Sequence, residues 1–302
     1  MKLATFMADG PARLGVVLND KIIDLAELAS LGGLDGSRFT SMIEVLRTGE
    51  ALDRARSLSQ NTSLLGKIRG VRLDSVRLLS PVPNPGKIIA VGLNYLDHCV
   101  EQGIDPPAAP LLFAKFPNSV TGPYDPIIIP EEDPEVDYEV ELGVVIGRRA
   151  KRVSEADALR YVAGYLVLND VSARKWQFAD KQWTRGKSCD TFAPMGPWLT
   201  TADEVPQPEN LAVFTRVNGQ TLQDSSTKNL IFGVSRLISY ISASITLEPG
   251  DVIATGTPPG VGVFRKPPIY LKPGDVVETG IEKLGVLKNP VIAEQRQAAI
   301  TA

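Results

Sequence analysis

The stretch that decides the fold is Asp-Tyr-Glu-Val-Glu-Leu-Gly, residues 137–143, which continues as Val-Val-Ile-Gly to Gly147. Its β-branched residues and glycine terminator predict a buried strand. Because alternate side chains of a strand point the same way, Asp137, Glu139 and Glu141 should share one face. A hard divalent cation would stabilise such a buried acidic face, and oxygen ligands favour Mg²⁺, Mn²⁺ or Ca²⁺ over Zn²⁺. A solvated acidic face is the alternative interpretation.

The composition is that of a globular protein. Its 302 residues, 43% of them hydrophobic, suffice for one large or two medium domains, and the net charge is −3. Without a basic patch we expect no nucleic-acid or membrane partner, which leaves a small molecule. Residues 1–10 do not resemble a signal peptide, and no segment is apolar enough to span a membrane. We therefore expect a cytoplasmic protein, and Cys99 and Cys189 fit such a reducing compartment.

The clearest domain boundary is the Pro-Val-Pro-Asn-Pro-Gly segment at residues 81–86. Before it, alternating apolar residues predict a hairpin that turns at Asn19. We therefore predict a small N-terminal accessory domain over residues 1–80 and a catalytic domain over residues 81–302. The second part is mostly strands, although residues 226–245 have the pattern of a long amphipathic helix.

His98 is the only histidine in the chain. A role that needs a group titrating near neutrality therefore falls on it first. On a helix, His98 and Glu101 would be neighbours at i and i+3, and the carboxylate would orient the imidazole as a water-activating pair. A surface histidine in a loop is the alternative. Residues 103–110 predict an extended or mobile loop that could act as a lid.

Asp170 follows the predicted buried strand at residues 165–168. A charged residue in this position is either a turn former or a ligand held by a rigid element. As a ligand, Asp170 would complete a three-carboxylate site with Glu139 and Glu141.

Two glycine-containing loops follow later in the chain. Gly-Lys-Ser at residues 186–188 is not a phosphate-binding loop, because Lys181 stands where that motif needs glycine. Lys187 either projects its charge into a pocket or is solvated. Thr-Pro-Pro-Gly-Val-Gly at residues 257–262 predicts a rigid loop whose backbone amides could receive a carboxylate.

Together these segments resemble the fumarylacetoacetate hydrolase (FAH) family over residues 87–290. The resemblance implies an α+β, mainly β fold, in which an FAH-type mixed β-sandwich roll forms the catalytic domain beside a small N-terminal α+β domain. It also implies a homodimer. The matching motifs are Gly-Leu-Asn-Tyr at 92–95 with His98 and Glu101, the acidic strand at 137–147, Asn-Asp-Val-Ser-Ala-Arg at 169–174, Gly-Lys-Ser at 186–188, and Gly-Thr-Pro-Pro-Gly-Val-Gly at 256–262.

The resemblance further implies the roles of individual residues. One Mg²⁺ or Mn²⁺ ion per subunit is expected at a carboxylate site, and further residues are expected to act in catalysis and to bind the substrate. The implied residues are Glu139, Glu141 and Asp170 for the metal, His98, Glu101 and Lys187 for catalysis, and Arg174, Gln177, Lys115 and Thr257 for the substrate.

The chain lacks the fourth carboxylate ligand of eukaryotic fumarylacetoacetase and is more similar to the acylpyruvase and 2,4-diketo-3-deoxy-sugar-acid hydrolase branch. Our first hypothesis is therefore hydrolysis of a carbon-carbon bond in a 2,4-diketo acid, such as an acylpyruvate, fumarylpyruvate or a diketo-deoxy sugar acid. Water activated by His98 and Glu101 would attack, a metal-stabilised enolate would leave, and Lys187 would stabilise the oxyanion. The alternative is an oxaloacetate decarboxylase or keto-enol tautomerase (isomerase) on the same site. The third hypothesis is a non-catalytic protein that binds keto acids.

Overall fold

β-strands form most of the ordered structure of residues 1–295, the part of the chain that the computed structural model describes. This confirms the predicted α+β fold with mainly β content. The strands are β1 (Lys2–Met7), β2 (Arg13–Leu18), β3 (Lys21–Asp24), β4 (Val71–Arg72), β5 (Arg77–Leu78), β6 (Ile88–Gly92), β7 (Leu111–Lys115), β8 (Val120–Thr121), β9 (Ile127–Ile129), β10 (Val136–Asp137), β11 (Val140–Ile146), β12 (Val162–Asn169), β13 (Ser172–Ala173), β14 (Ala193–Thr201), β15 (Ala212–Val217), β16 (Gln220–Ser226), β17 (Val252–Ala254), β18 (Val276–Ile281) and β19 (Gly285–Ala293). The helices are α1 (Leu25–Leu31), α2 (Met42–Arg47), α3 (Glu50–Gln60), α4 (Thr62–Leu65), α5 (Leu96–Gln102), α6 (Arg174–Asp180), α7 (Thr184–Lys187) and α8 (Val234–Ser244).

One large sheet forms the frame of the molecule. Its strand order is β4-β3-β2-β1-β14-β12-β11-β17-β6-β7, with β5 paired to β1 and β8 paired to β14. A second sheet has the order β16-β15-β18-β19-β9. β11 lies inside the large sheet, antiparallel to both β12 and β17, and all of its residues are buried. This central position explains its nearly continuous apolar and β-branched sequence.

The acidic stretch forms two strands instead of the single strand predicted. β10 pairs with β13 in a small two-stranded sheet, whereas β11 belongs to the large sheet. Strand alternation is interrupted at Tyr138 and Glu139, so the expectation that Asp137 shares one face with the two glutamates is wrong. Asp137 instead forms a buried ion pair with Arg174, at 2.7 Å between Oδ2 and Nη2. The same nitrogen also lies 2.7 Å from Glu139 Oε1, so the guanidinium bridges the two carboxylates.

The N-terminal segment continues the large sheet. The predicted hairpin is confirmed, since β2 and β3 pair across a turn in which Asn19 has a φ of 53°. β1 then pairs antiparallel with β14, with Leu3 opposite Leu199. The hydrophobic core is also continuous, because Leu3 and Leu14 belong to the same cluster as Ile88. The proposed domain division at residue 80 stays a prediction.

The helix predicted over residues 226–245 begins later than expected. Residues up to Ser226 belong to β16, and α8 starts only at Val234. The intervening chain is held by Asn94, whose Oδ1 accepts the Phe232 N–H at 2.8 Å and whose backbone carbonyl accepts the Ile231 N–H at 2.9 Å. These tertiary hydrogen bonds replace the helical ones, which is why the apolar pattern alone predicted too long a helix. Within residues 1–295, no helix has the length and apolar character needed to cross a bilayer.

Candidate active site

The break between β10 and β11 lies beside the candidate site. Three consecutive backbone N–H groups, those of residues 138–140, donate to side-chain oxygens. The chain therefore leaves the ladder without orphaned donors. The acceptors are Asp137 Oδ1 for Tyr138 at 2.8 Å, Asn169 Oδ1 for Glu139 at 2.9 Å, and Gln223 Oε1 for Val140 at 3.0 Å.

Three buried carboxylates converge beside this break, as the sequence predicted. One oxygen each from Glu139, Glu141 and Asp170 can be chosen so that all three lie within 4.8 Å of one another. The Lys187 ammonium lies between two of these residues, 2.7 Å from Glu139 Oε2 and 2.8 Å from Asp170 Oδ2. Elements that are distant in sequence therefore bring their charges to one point.

The remaining oxygens of Glu139 and Asp170 also meet cations. Arg174 Nη2 lies 2.7 Å from Glu139 Oε1, and Lys115 Nζ lies 2.6 Å from Asp170 Oδ1. Glu141 differs, because its only hydrogen bond among the described residues is accepted by Oε2 from the Gly256 N–H at 2.8 Å. Glu141 thus forms no ion pair within residues 1–295.

The different surroundings shift the pKa values of the two glutamates in opposite directions. Burial alone would raise the pKa of Glu139, but Lys187 and Arg174 outweigh burial and hold that pKa below its ordinary value. Burial, followed by the negative charges of Asp170 and Glu139, raises the pKa of Glu141 well above its ordinary value. A cation beside Glu141 would remove this conflict.

The donor set fits a hard divalent ion. The converging ligand atoms are all carboxylate oxygens, the type that Mg²⁺ and Mn²⁺ prefer. Glu141 Oε1 accepts no hydrogen bond from the described residues, and Glu141 lines the cavity next to the triad. Glu139, Glu141 and Asp170 are therefore the residues that could hold such an ion.

The predicted His98 and Glu101 pair is formed on α5. His98 Nδ1 lies 2.8 Å from Glu101 Oε2, and the imidazole is almost fully buried. The other oxygen of this carboxylate, Oε1, accepts the Gly260 N–H at 2.8 Å. Glu101 therefore bridges the imidazole and the loop at residues 257–262.

The amides of this loop receive carboxylates, but the carboxylates belong to the protein. Besides the bond from Gly260 to Glu101, the N–H groups of Gly262 and of Val263, the residue after the loop, donate to Asp137 at 2.7 and 3.0 Å. Asp137 thus fixes the loop and Arg174 at once. The sequence pattern indicated the donors without identifying their partners.

One cavity collects most of the predicted site residues. Its polar lining is formed by His98, Gln102, Glu139, Glu141, Arg174, Gln177, Lys187 and Thr257, and its apolar lining includes Phe113, Trp183 and Phe264.

Three predicted site residues lie behind this lining. Glu101 contacts His98, and Asp170 contacts Lys187, but neither carboxylate residue is part of the lining itself. Lys115 is fully buried, and its ammonium contacts Asp170 and the carbonyl oxygens of Val171 and Lys187. The prediction that Lys115 binds substrate therefore finds no support in this geometry, because its charge is used to hold Asp170.

Comparisons with known proteins agree with this geometry. Residues 87–292 match the family described as fumarylacetoacetate (FAA) hydrolase, C-terminal. The chain is 47% identical to oxaloacetate tautomerase fahd2, mitochondrial, of Xenopus laevis, over 97% of this chain and 90% of that protein.

Solved structures of related proteins also resemble this chain. Fumarylacetoacetate hydrolase from Exiguobacterium antarcticum is 38% identical, with a TM-score of 0.82 over 97% of this chain and all of that one. Maleylpyruvate hydrolase from Sphingobium sp. SYK-6, in complex with manganese(II) and pyruvate, is 34% identical, with a TM-score of 0.79 over 98% of this chain and all of that one. These similarities confirm the predicted fold class.

The expected cytoplasmic location is wrong. The Xenopus laevis relative, which matches 97% of this chain, is named a mitochondrial protein. The expectation rested on the first ten residues and on two free cysteines, Cys99 and Cys189. Reduced cysteines indicate a reducing compartment but do not distinguish the cytoplasm from other such compartments.

The unequal pairing of the two glutamates predicts opposite effects of matched substitutions. In metal-free protein, Glu141→Gln should raise the free energy of unfolding near neutral pH, because it removes a carboxyl group whose ionisation is opposed by burial and by the neighbouring carboxylates. Glu139→Gln should lower it by roughly 1–3 kcal/mol, because Lys187 and Arg174 each lose a charged partner. Urea unfolding of both variants in a chelator tests this. Equal destabilisation by the two substitutions would contradict the assignment.

The Gly260 bridge predicts a local effect on the imidazole. Gly260 has a φ of 102°, and a Cβ at this position would overlap the carbonyl oxygen of Leu222. Gly260→Ala should therefore displace the N–H from Glu101 and change the ring ¹⁵N shifts of His98, which are unambiguous in a chain with one histidine. Gly274→Ala is the control, because its φ is 98° but nothing lies within 4 Å of the added Cβ. Identical His98 spectra in both variants would refute the bridge.

Proposed function

This chain belongs to the fumarylacetoacetate hydrolase family, and we propose that it is a divalent-metal-dependent enzyme that interconverts the keto and enol forms of oxaloacetate or a similar 2-oxo dicarboxylic acid. The observation that carries the proposal is a single cavity lined by the His98 imidazole and by two of the three triad carboxylates, Glu139 and Glu141. The 47% identity to an oxaloacetate tautomerase supports this reaction over the others that the fold serves.

The charges around the triad suit a dianionic substrate. With all of these groups ionised, Asp137, Glu139, Glu141 and Asp170 carry one more negative charge than Lys115, Arg174 and Lys187 neutralise. A divalent ion would reverse this balance to one positive charge. It would also polarise the 2-oxo group and stabilise negative charge on its oxygen.

His98 would move the proton at carbon 3 of the substrate. Its Nδ1 is hydrogen-bonded to Glu101, so Nε2 is the ring nitrogen that remains free to exchange a proton with the substrate. Keto-enol interconversion removes one proton from carbon 3 and adds one to the oxygen on carbon 2, or the reverse, and no bond to water forms. Glu101 orients the ring through this transfer.

Lys187 would contact the substrate oxygen. Two of its three ammonium hydrogens are used by Glu139 and Asp170, which leaves one for the cavity. Gln177 would bind the substrate beside it, since its Oε1 accepts from Arg174 Nη1 at 2.9 Å and its Nε2 remains available to a carboxylate. We also propose the homodimer implied by the family.

Hydrolysis of a 2,4-diketo acid, our first hypothesis from the sequence, becomes the second candidate. The pairing of His98 with Glu101 is also the arrangement that activates water. The 34% identity to a maleylpyruvate hydrolase favours this candidate over decarboxylation. Which reaction occurs depends on whether water can lie next to the imidazole.

The metal requirement is tested by removal and restoration. We expect oxaloacetate tautomerisation by the protein to stop in excess chelator and to return with Mg²⁺ or Mn²⁺, because the triad supplies only carboxylate ligands. The decay of enol absorbance is followed against a blank that contains the same metal without protein. Full turnover by metal-stripped protein would refute the proposal.

The role of His98 is tested on both reactions. His98→Ala should lower tautomerisation roughly 10²- to 10⁴-fold, the range for loss of a general acid-base group, with Mn²⁺ affinity intact. Val100→Ala, at a position that is 74% exposed on the same helix, is the control and should behave like the parent.

The parent protein is assayed in parallel with acylpyruvates and fumarylpyruvate. Rapid cleavage of these diketo acids without tautomerisation of oxaloacetate would move hydrolysis into first place. Undiminished tautomerisation by His98→Ala would refute the role of the imidazole.

A further inference from the structure

Gln223 is a buried polar residue that the proposed chemistry does not use. It lies in β16 with no solvent exposure, and its side-chain amide makes four hydrogen bonds. Oε1 accepts the Val140 backbone N–H at 3.0 Å and the Thr215 hydroxyl at 2.8 Å. Nε2 donates to Thr257 Oγ1 at 2.8 Å and to the Pro258 carbonyl at 2.9 Å. The amide thus uses its full hydrogen-bonding capacity.

Two backbone groups of opposite polarity fix the orientation of this amide. The Val140 N–H can only donate, so Oε1 must face it, and the Pro258 carbonyl can only accept, so Nε2 must face it. Thr257 Oγ1 lies on the Nε2 side and therefore accepts. The hydroxyl hydrogen of Thr257 is consequently not shared with Gln223.

The hydroxyl hydrogen of Thr257 is available to a ligand in the cavity. Thr257 lines the cavity with 6% exposure, and its hydroxyl donates to none of residues 1–295. Because Nε2 occupies one lone pair of Oγ1, the hydrogen points away from Gln223. The hydroxyl is thereby set as a donor to an anionic oxygen in the cavity.

We infer that Gln223 is a positioning residue for the carboxylate of the substrate. Its amide holds the Thr257 hydroxyl as a donor and ties the loop to Val140, which lies between the candidate metal ligands Glu139 and Glu141. The distance from this donor to the carboxylate triad is therefore fixed through one side chain. The inference rests on the proposed function, which supplies a 2-oxo acid whose carboxylate accepts this hydrogen bond.

The experiment measures the binding of pyruvate, a 2-oxo acid probe, to the Mn²⁺-loaded protein by calorimetry. Gln223→Met keeps the length of the side chain without its hydrogen bonds, and Thr257→Val keeps the shape without the hydroxyl. Each should weaken pyruvate binding roughly 10- to 100-fold, as for a lost hydrogen bond to a charged group. The double variant should bind no more weakly than the worse single variant, because both act through one hydroxyl.

The inference would be overturned if the two losses of pyruvate affinity multiplied in the double variant. It would also be overturned if Gln223→Met bound pyruvate as tightly as the parent. If Gln223→Met does not fold, Gln223→Glu replaces it. The carboxylate would still accept from Val140 but would draw the Thr257 hydrogen onto itself, and the same loss of affinity is expected.

Thr215→Val is the structural control. It removes one bond to Oε1 and leaves both Nε2 contacts in place, so it should lower the melting temperature without weakening pyruvate binding. A purely structural role for Gln223 predicts weakened binding in this variant too.

Oxaloacetate kinetics on the same samples separate this inference from the proposed reaction. Loss of uniform binding should raise KM and leave kcat within a few-fold. A parent that binds pyruvate but does not tautomerise oxaloacetate would refute the reaction, while the binding series would still decide the role of Gln223. A parent that does not bind pyruvate would overturn the inference as well.

Discussion

The structure depends on an imbalance of buried charge: four carboxylates meet three cations around one point. Asp137 is matched by Arg174, and Glu139 and Asp170 share Lys187 and its neighbours, but Glu141 has only a backbone N–H. An unpaired carboxylate in a water-poor site costs several kcal/mol. Glu141 nevertheless lies in β11, a buried central strand that holds its side chain in place. Selection for a bound cation explains such an arrangement better than selection for stability.

Neutral groups make this arrangement geometrically feasible. A strand cannot break inside a protein unless the N–H groups it frees find acceptors. The side-chain oxygens of Asp137, Asn169 and Gln223 provide them at three successive residues. Glu139 can therefore leave the ladder and face the cavity. The polar side chains at the break thus support the carboxylates without contacting the proposed metal.

The sequence predicted the local features and missed those that depend on distant contacts. The His98 and Glu101 pair follows from helical spacing, and the hairpin at Asn19 follows from alternation, so both were predictable. The break in the acidic stretch was not, because it relies on Gln223, 83 residues from its partner Val140. No short-range pattern marks a side chain whose function is to cap a remote backbone group.

The same limits apply to the candidate site. Residue types and motif order identified the triad, whereas the use of Lys115 behind Asp170 required the three-dimensional arrangement. The pairing of the loop amides with Asp137 and Glu101 is a similar case. A glycine-rich loop indicates available N–H donors, but only the fold decides whether they bind a ligand or the protein.

The lining of the cavity bears on which reaction the site favours. Hydrolysis needs a water molecule held beside the imidazole, whereas keto-enol transfer needs only a proton route. Phe264 lies 5.8 Å from the His98 ring, and Phe113 and Trp183 pack edge to face on the cavity wall. Such aromatic surfaces offer a water molecule few hydrogen-bonding partners. Phe264 therefore leaves fewer positions for water on one side of the imidazole, which favours the proposed tautomerisation on a scaffold shared with hydrolases.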